Sequence, residues 1–223
     1  MEKYGTIPKK FTKAWWEYVW EYYKYHIAVA LFAVFFVGSL IHTNLTRKYY
    51  DVYVTYIGLG SFNESVQAEF DNIIIPVAED TNEDEELDST YYVYNVENPA
   101  DDELFTEYEY AAESKIIVDL QAGESYLYIM SAANVENMYE VSECFEPVTE
   151  FVSDMGDREV IMSKDGYPFA ISMAQSQKLA EKGIDTSNMY IAVKKVYDNE
   201  KDEQRRLKVH KNSLNAAKQL LGE

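Results

Sequence analysis

The chain has 223 residues, 47% of them hydrophobic and 15% aromatic, with a formal net charge of −19. That is enough for one domain of ordinary size plus an additional segment, and so acidic a surface repels phosphate backbones, which excludes nucleic-acid binding from the expectations. Cys144 is the only cysteine, so no intrachain disulfide, iron–sulfur cluster or cysteine-based zinc site can form.

The charge is unevenly spread. Residues 1–48 hold seven basic and three acidic residues, which leaves 13 basic against 36 acidic for 49–223, a formal −23. From Tyr49 to Asp157 the only basic residue is Lys115.

Between Lys24 and Arg47 lies an uncharged run whose apolar centre is Ile27 to Ile41. At 1.5 Å per residue those 15 residues reach roughly 22 Å, and Tyr25, His26, His42 and Thr43 extend the helix toward the ~30 Å of a hydrocarbon core. Trp15, Trp16, Trp20 and the tyrosines around them precede the run, and such side chains settle at a membrane interface. A cleaved signal peptide has a shorter leader and small residues at its cleavage site, whereas Val37 and Ser39 match that site poorly. The expectation is a cytoplasmic, aromatic and basic segment over 1–25, a transmembrane helix over 26–46 and an acidic domain over 49–223. Five lysines before the span, against Arg47 and Lys48 after it, place the N-terminus inside and the domain outside the cell.

Within the domain, residues 51–58 are β-branched and aromatic on both faces and predict a buried strand. Gly58, Gly60, Ser61 and Asn63 form a turn, and Ser61 or Asn63 can cap the helix marked by Val66, Phe70, Ile73, Ile74 and Val77, which Pro76 ends or kinks. The acidic stretch 79–88 predicts a solvated loop and 91–96 a second strand. Leu104, Tyr108, Ala111, Ala112, Ile116 and Leu120 mark a second helix, stopped at Gly123. A third strand over 126–130 completes a β-α-β-α-β order, which argues for a mostly parallel sheet. A hairpin over 158–173, a short helix from Ser176 to Lys182, a strand over 189–196 and a helix over 202–221 follow. That last helix has Leu207, Leu214, Ala217 and Leu221 on one side. The fold class expected is therefore α/β with a hairpin and a C-terminal helix, preceded by one transmembrane helix.

Few residues suit catalysis. His210 is the only histidine in the domain, so a Ser-His-Asp triad would have to recruit it from a basic helix. Gly58 and Gly60 follow a strand as in a dinucleotide-binding turn, but Asn63 stands where the third glycine belongs. Asp80, Asn82 and Asp84 begin like a calcium loop, yet Glu85 and Tyr91 occupy the positions of its glycine and its bidentate glutamate. The basic residues Lys201, Arg205, Arg206, Lys208, Lys211 and Lys218 suit either a helix docked against the acidic domain with its charges in solvent or contact with an acidic partner or membrane surface. No cofactor and no enzymatic activity are expected.

The stretch AAESKIIVDLQAGESYLYIMSAANVENMYEVSECFEPVTEF, 111–151, together with GYPFAISM, 166–173, resembles the binding lobes of extracellular solute-binding proteins of ABC importers. The resemblance implies an α/β lobe that binds a solute outside the cell, here of one-lobe size and on a membrane helix. In an open α/β sheet a ligand sits beyond the strand C-termini. Those ends carry Gly58, Gly60, Ser61, Asn63, Asn95, Glu97, Ser131 and Asn134, with no basic side chain among them, which suits a neutral polar solute such as a sugar. The expected function is a non-enzymatic, membrane-anchored binding or interaction domain. Its partners would be a small ligand or another membrane or cell-surface protein. The alternative is an assembly subunit of a larger membrane complex.

Overall fold

The computed structural model describes residues 8–60, 62–96, 107–197 and 203–223. Two compact units, Met1–Tyr49 and Tyr50–Glu223, make up the chain.

The first unit is one helix, α1 (Lys13–Leu45), of 33 residues, which at 1.5 Å per residue is about 50 Å long. Thr12 caps it, its side chain accepting from the Trp15 amide. Apolar side chains such as Val29, Leu31, Phe35 and Leu40 project from every side of the helix and none is buried. A helix apolar all round is a buried core element or a membrane span. The stretch Lys13–Thr43 is long and apolar enough to cross a membrane, a property shared by anchors and signal sequences. The hydroxyls of Thr43 and Thr46 donate to the carbonyls of Ser39 and His42, four residues back. Those two groups therefore need no water.

The second unit is an α/β domain. It comprises β1 (Val52–Ile57), α2 (Glu64–Ile74), β2 (Ser89–Tyr94), α3 (Glu107–Ala122), β3 (Leu127–Ser131), α4 (Ala132–Asn137), β4 (Val160–Met162), β5 (Pro168–Ser172), α5 (Gln177–Glu181), β6 (Met189–Val193) and α6 (Gln204–Leu221). The sheet order is β2-β1-β3-β6-β5-β4. The first three strands are parallel, as their β-α-β-α-β sequence predicts, and β4–β5 is the hairpin expected over 158–173, but β3–β6 and β6–β5 are also antiparallel. The sheet is mixed, which corrects the expectation of a mostly parallel one. A parallel return needs a crossover element about as long as the strand. Between β3 and β6 the chain offers only short helices, of which α5 has five residues, and a tight turn at Gly166 between β4 and β5.

Side-chain alternation divides the core between the two faces. Val52, Val54, Tyr56, Leu127, Ile129, Ile191 and Val193 face α2, α5 and α6, while Ile57, Tyr128, Met130, Tyr190 and Ala192 face α3 and α4. The crossovers through α2 and α3 step in opposite directions from β1 and lie on opposite faces. They therefore have the same hand, and the strand order reverses between β1 and β3.

Asn63 caps α2 by accepting from the amides of Ser65 and Val66, and Pro76 sits in the tight turn that follows Ile74. The buried stripe of α6 is Val209, Asn212, Ser213, Ala216, Ala217, Leu220 and Leu221. Of the expected stripe, Ala217 and Leu221 are buried and Leu214 packs against the core, but Leu207 is 41% exposed. Small residues replace it because α6 lies close on β1, β3 and β6. The basic side chains of α6 turn to the acidic domain: Arg205 pairs with Glu124 at 3.0 Å, Lys208 with Glu83 at 3.7 Å and Lys211 with Glu79. The helix is docked on the domain, but these three charges are paired with its carboxylates rather than left to solvent as expected. Lys201 and Leu104 lie outside the described residues.

The acidic loop 79–88 is tied down rather than merely solvated. Buried Asp51 accepts from the amide and hydroxyl of Thr81 and from the Asp88 amide, at 2.6, 2.9 and 3.0 Å. Buried Asn212 accepts from the Glu79 amide and donates to the carbonyls of Glu79 and Asp51.

Candidate functional site at the parallel strand ends

Because β2, β1 and β3 are adjacent and parallel, their C-terminal ends open on the same edge of the sheet. At the end of β1, Gly58 donates its amide to the Tyr94 carbonyl at 3.0 Å. A Cβ there would lie 2.9 Å from the Tyr56 hydroxyl and 3.2 Å from the Ser131 Cβ, so the close approach of β1 to β3 requires glycine. Gly60 has φ +120°, a conformation L side chains rarely adopt. Both glycines thus serve the turn. Ser61 and Glu97 lie outside the described residues.

Asn63 is committed to its cap on the α2 side, away from the other candidates. Asn95 is exposed just after β2. Ser131 and Asn134, by contrast, are brought together. The Asn134 side chain, 2% exposed, donates through Nδ2 to the Ser131 hydroxyl and to the Val96 carbonyl, both at 2.9 Å. One buried amide thereby fastens the end of β2 to the end of β3.

A cavity of about 220 Å³ opens beside this amide. Its floor is Ile57, Val96 and Ile116, all buried. Ile117 of α3, with Met138 and Val141 of the turn after α4, forms its sides. Asn134, Asn137, Glu113 and Glu140 supply its polar groups. Among the described residues, no basic side chain lines it. Glu140 is engaged by the Lys164 ammonium at 2.7 Å, which holds the Lys164 pKa above its ordinary value. Glu113 has no hydrogen bond or ion pair among the described residues.

Of the candidates named from the sequence, Asn134 alone among the described residues lines this cavity, and the rest of its wall was not singled out. The Glu113, Ile116, Ile117 spacing of i, i+3, i+4 places those residues together on α3, and this pattern is visible in the sequence. The contribution of Met138 and Val141 has no such signal.

The other candidates are structurally committed. Asp80 accepts from the amides of Asn82, Glu83 and Glu85 at 3.1, 2.6 and 3.0 Å. Desolvation raises its pKa, but these amides together outweigh it and hold the carboxyl below its usual range. The calcium-like residues thus serve their own turn, in which Glu83 and Glu85 have positive φ. No group of three or more His, Cys, Asp or Glu placed to hold a metal occurs among the described residues. His210 stands 3.3 Å from Glu146 and edge-on to the Tyr126 ring.

A second, more open groove of about 690 Å³ runs past Arg158, Ser176 and Lys178. Its polar groups bond within the fold: Arg158 to the Leu221 carbonyl and Glu223, Ser176 to the Leu220 carbonyl, and Lys178 to Gln219. Lys194, fully buried, donates to the Gly123 carbonyl at 2.8 Å with its ammonium over the Tyr126 ring, a feature no local pattern announces.

No family model, no curated protein and no solved structure matches this chain.

Proposed function

We propose that this chain is a membrane-anchored, extracytoplasmic binding domain without enzymatic activity, which takes a small ligand in the cavity at the ends of its parallel strands. In this reading α1 spans the bilayer with its N-terminus in the cytoplasm, and Tyr50–Glu223 stands outside the cell. The observation that carries the reading is the 220 Å³ cavity beside the β1/β3 reversal point, the place where open α/β sheets bind ligands. A mostly apolar wall with a few convergent polar groups supports binding rather than chemistry.

The anchor is tested by N-terminal sequencing of the protein recovered from alkali-washed membranes. Membrane retention with residues before Lys13 still attached agrees with the proposal. Loss of everything before Arg47 would make α1 a cleaved signal sequence.

A second reading, an assembly subunit of a membrane complex, draws on the outer side of α3, where Tyr110, Ile117 and Val118 are exposed. Chemical cross-linking in intact membranes separates the two. A discrete cross-linked complex that is lost on Val118→Glu favours assembly, and a monomer favours the binding domain.

A further inference from the structure

Resting on the reading of the cavity as a ligand site, we infer that its ligand is a small apolar amine carried as a cation. Size comes first. A volume of about 220 Å³ equals roughly seven liquid-water volumes, room for a ligand of about ten non-hydrogen atoms or fewer. Polarity comes next. The floor of Ile57, Val96 and Ile116 can satisfy none of a sugar's hydroxyls, so the inner part of the ligand is apolar.

The polar groups then fix the ligand's other end. Both protons of the Asn134 amide are used, on Val96 and Ser131, so the group this lining residue still offers a ligand is its Oδ1, an acceptor. An acceptor is matched by a donor. Glu113 adds a carboxylate that no described residue neutralises, whereas Glu140 is already bonded to Lys164. An ammonium supplies three donors and the matching charge, and it meets no basic group in the wall. The formal −23 of residues 49–223 draws a cation toward this surface and repels an anion.

The experiment compares three probes of one shape, phenethylamine, 2-phenylethanol and phenylacetate. The full chain is held in zwitterionic lipid nanodiscs, its methionine methyls carry carbon-13, and the Met138 methyl is the reporter. The expected result is a saturable Met138 shift with phenethylamine, roughly tenfold weaker affinity for the alcohol, and none for the acid. Glu113→Gln should bring phenethylamine down to the level of the alcohol without altering alcohol binding. Equal or tighter binding of the alcohol or the acid, or an unchanged amine affinity in Glu113→Gln, would overturn the amine while leaving the cavity a ligand site. Silence of Met138 toward all three probes at millimolar concentration would overturn the cavity reading itself.

Discussion

Asn63 and Asn134 are the same residue type at comparable strand ends, yet only one role was legible in the sequence. Asn63 bonds amides two and three residues ahead, so its cap is a local fact. Asn134 bonds Val96, 38 residues away, and nothing near it in the chain marks that partner. Lys194 and Asp51 were invisible for the same reason: charged residues are rarely fully buried, and their partners come from distant segments. Gly58→Ala should destabilise the domain by about 1–3 kcal/mol, because the added Cβ crowds Tyr56 and Ser131. A thermal melt that does not move would show that β1 and β3 are less close than described. Asp51→Ala leaves the Thr81 and Asp88 amides without their acceptor, at about 1–3 kcal/mol for each. The expected readout is limited proteolysis: cleavage within 79–88 should become fast, and an unchanged pattern would argue against the clamp.

The tyrosines make a pH prediction at the same scale. Burial pushes Tyr53 and Tyr190 up to about 12, with Glu124 and Glu159 respectively adding to the shift. Burial, then hydrogen bonds to Asp71 and Asp119, raises Tyr91 and Tyr94 further, and burial first of all raises Tyr128. A folded-state pKa above the unfolded value means that these phenols stabilise the fold fully below pH ~10, the unfolded value. That stability is lost as pH rises through the folded values. Absorbance at 295 nm followed with circular dichroism should therefore show a late, cooperative rise above pH about 11 that coincides with unfolding. Ionisation of these five side chains with the fold intact would contradict their burial.

Among the elements, those set by period and caps were readable. The strand β1, fully buried on both faces, announced itself as a continuous apolar run, and α2 carries its own cap and its own stop at Pro76. The β4–β5 hairpin was readable from its turn, but the antiparallel placement of β6 between β3 and β5 was not, because it is decided by connection length and by which edge is vacant rather than by any residue in the strand. The buried face of α6 was read correctly at Leu214, Ala217 and Leu221 but not at Leu207, where apolar size misled, whereas closeness to the sheet selected Ser213 and Ala216 as well. The two readings differ measurably. Ala216→Leu should cost about 1–3 kcal/mol by overpacking, while Leu207→Ser at the surface should stay within about 0.5 kcal/mol. The reverse order of the two melting temperatures would place Leu207 in the core and Ala216 outside it.

For the whole molecule, charge and hydropathy speak to placement more than to chemistry. Positive charge gathers before the long apolar helix and negative charge after it. The domain that follows has a mixed sheet whose parallel half opens on a small, acidic, mostly apolar cavity. An outside-facing binding domain on a membrane helix unites these features, and the side of the membrane is its central claim. The most direct measurement labels single cysteines in intact cells with a membrane-impermeant maleimide, in a Cys144→Ser background. Glu86→Cys, on the exposed part of the acidic loop, should label in intact cells, and Lys10→Cys, before α1, only after lysis. Labelling of Lys10→Cys in intact cells, with Glu86→Cys reached only after lysis, would place the domain inside and contradict the account.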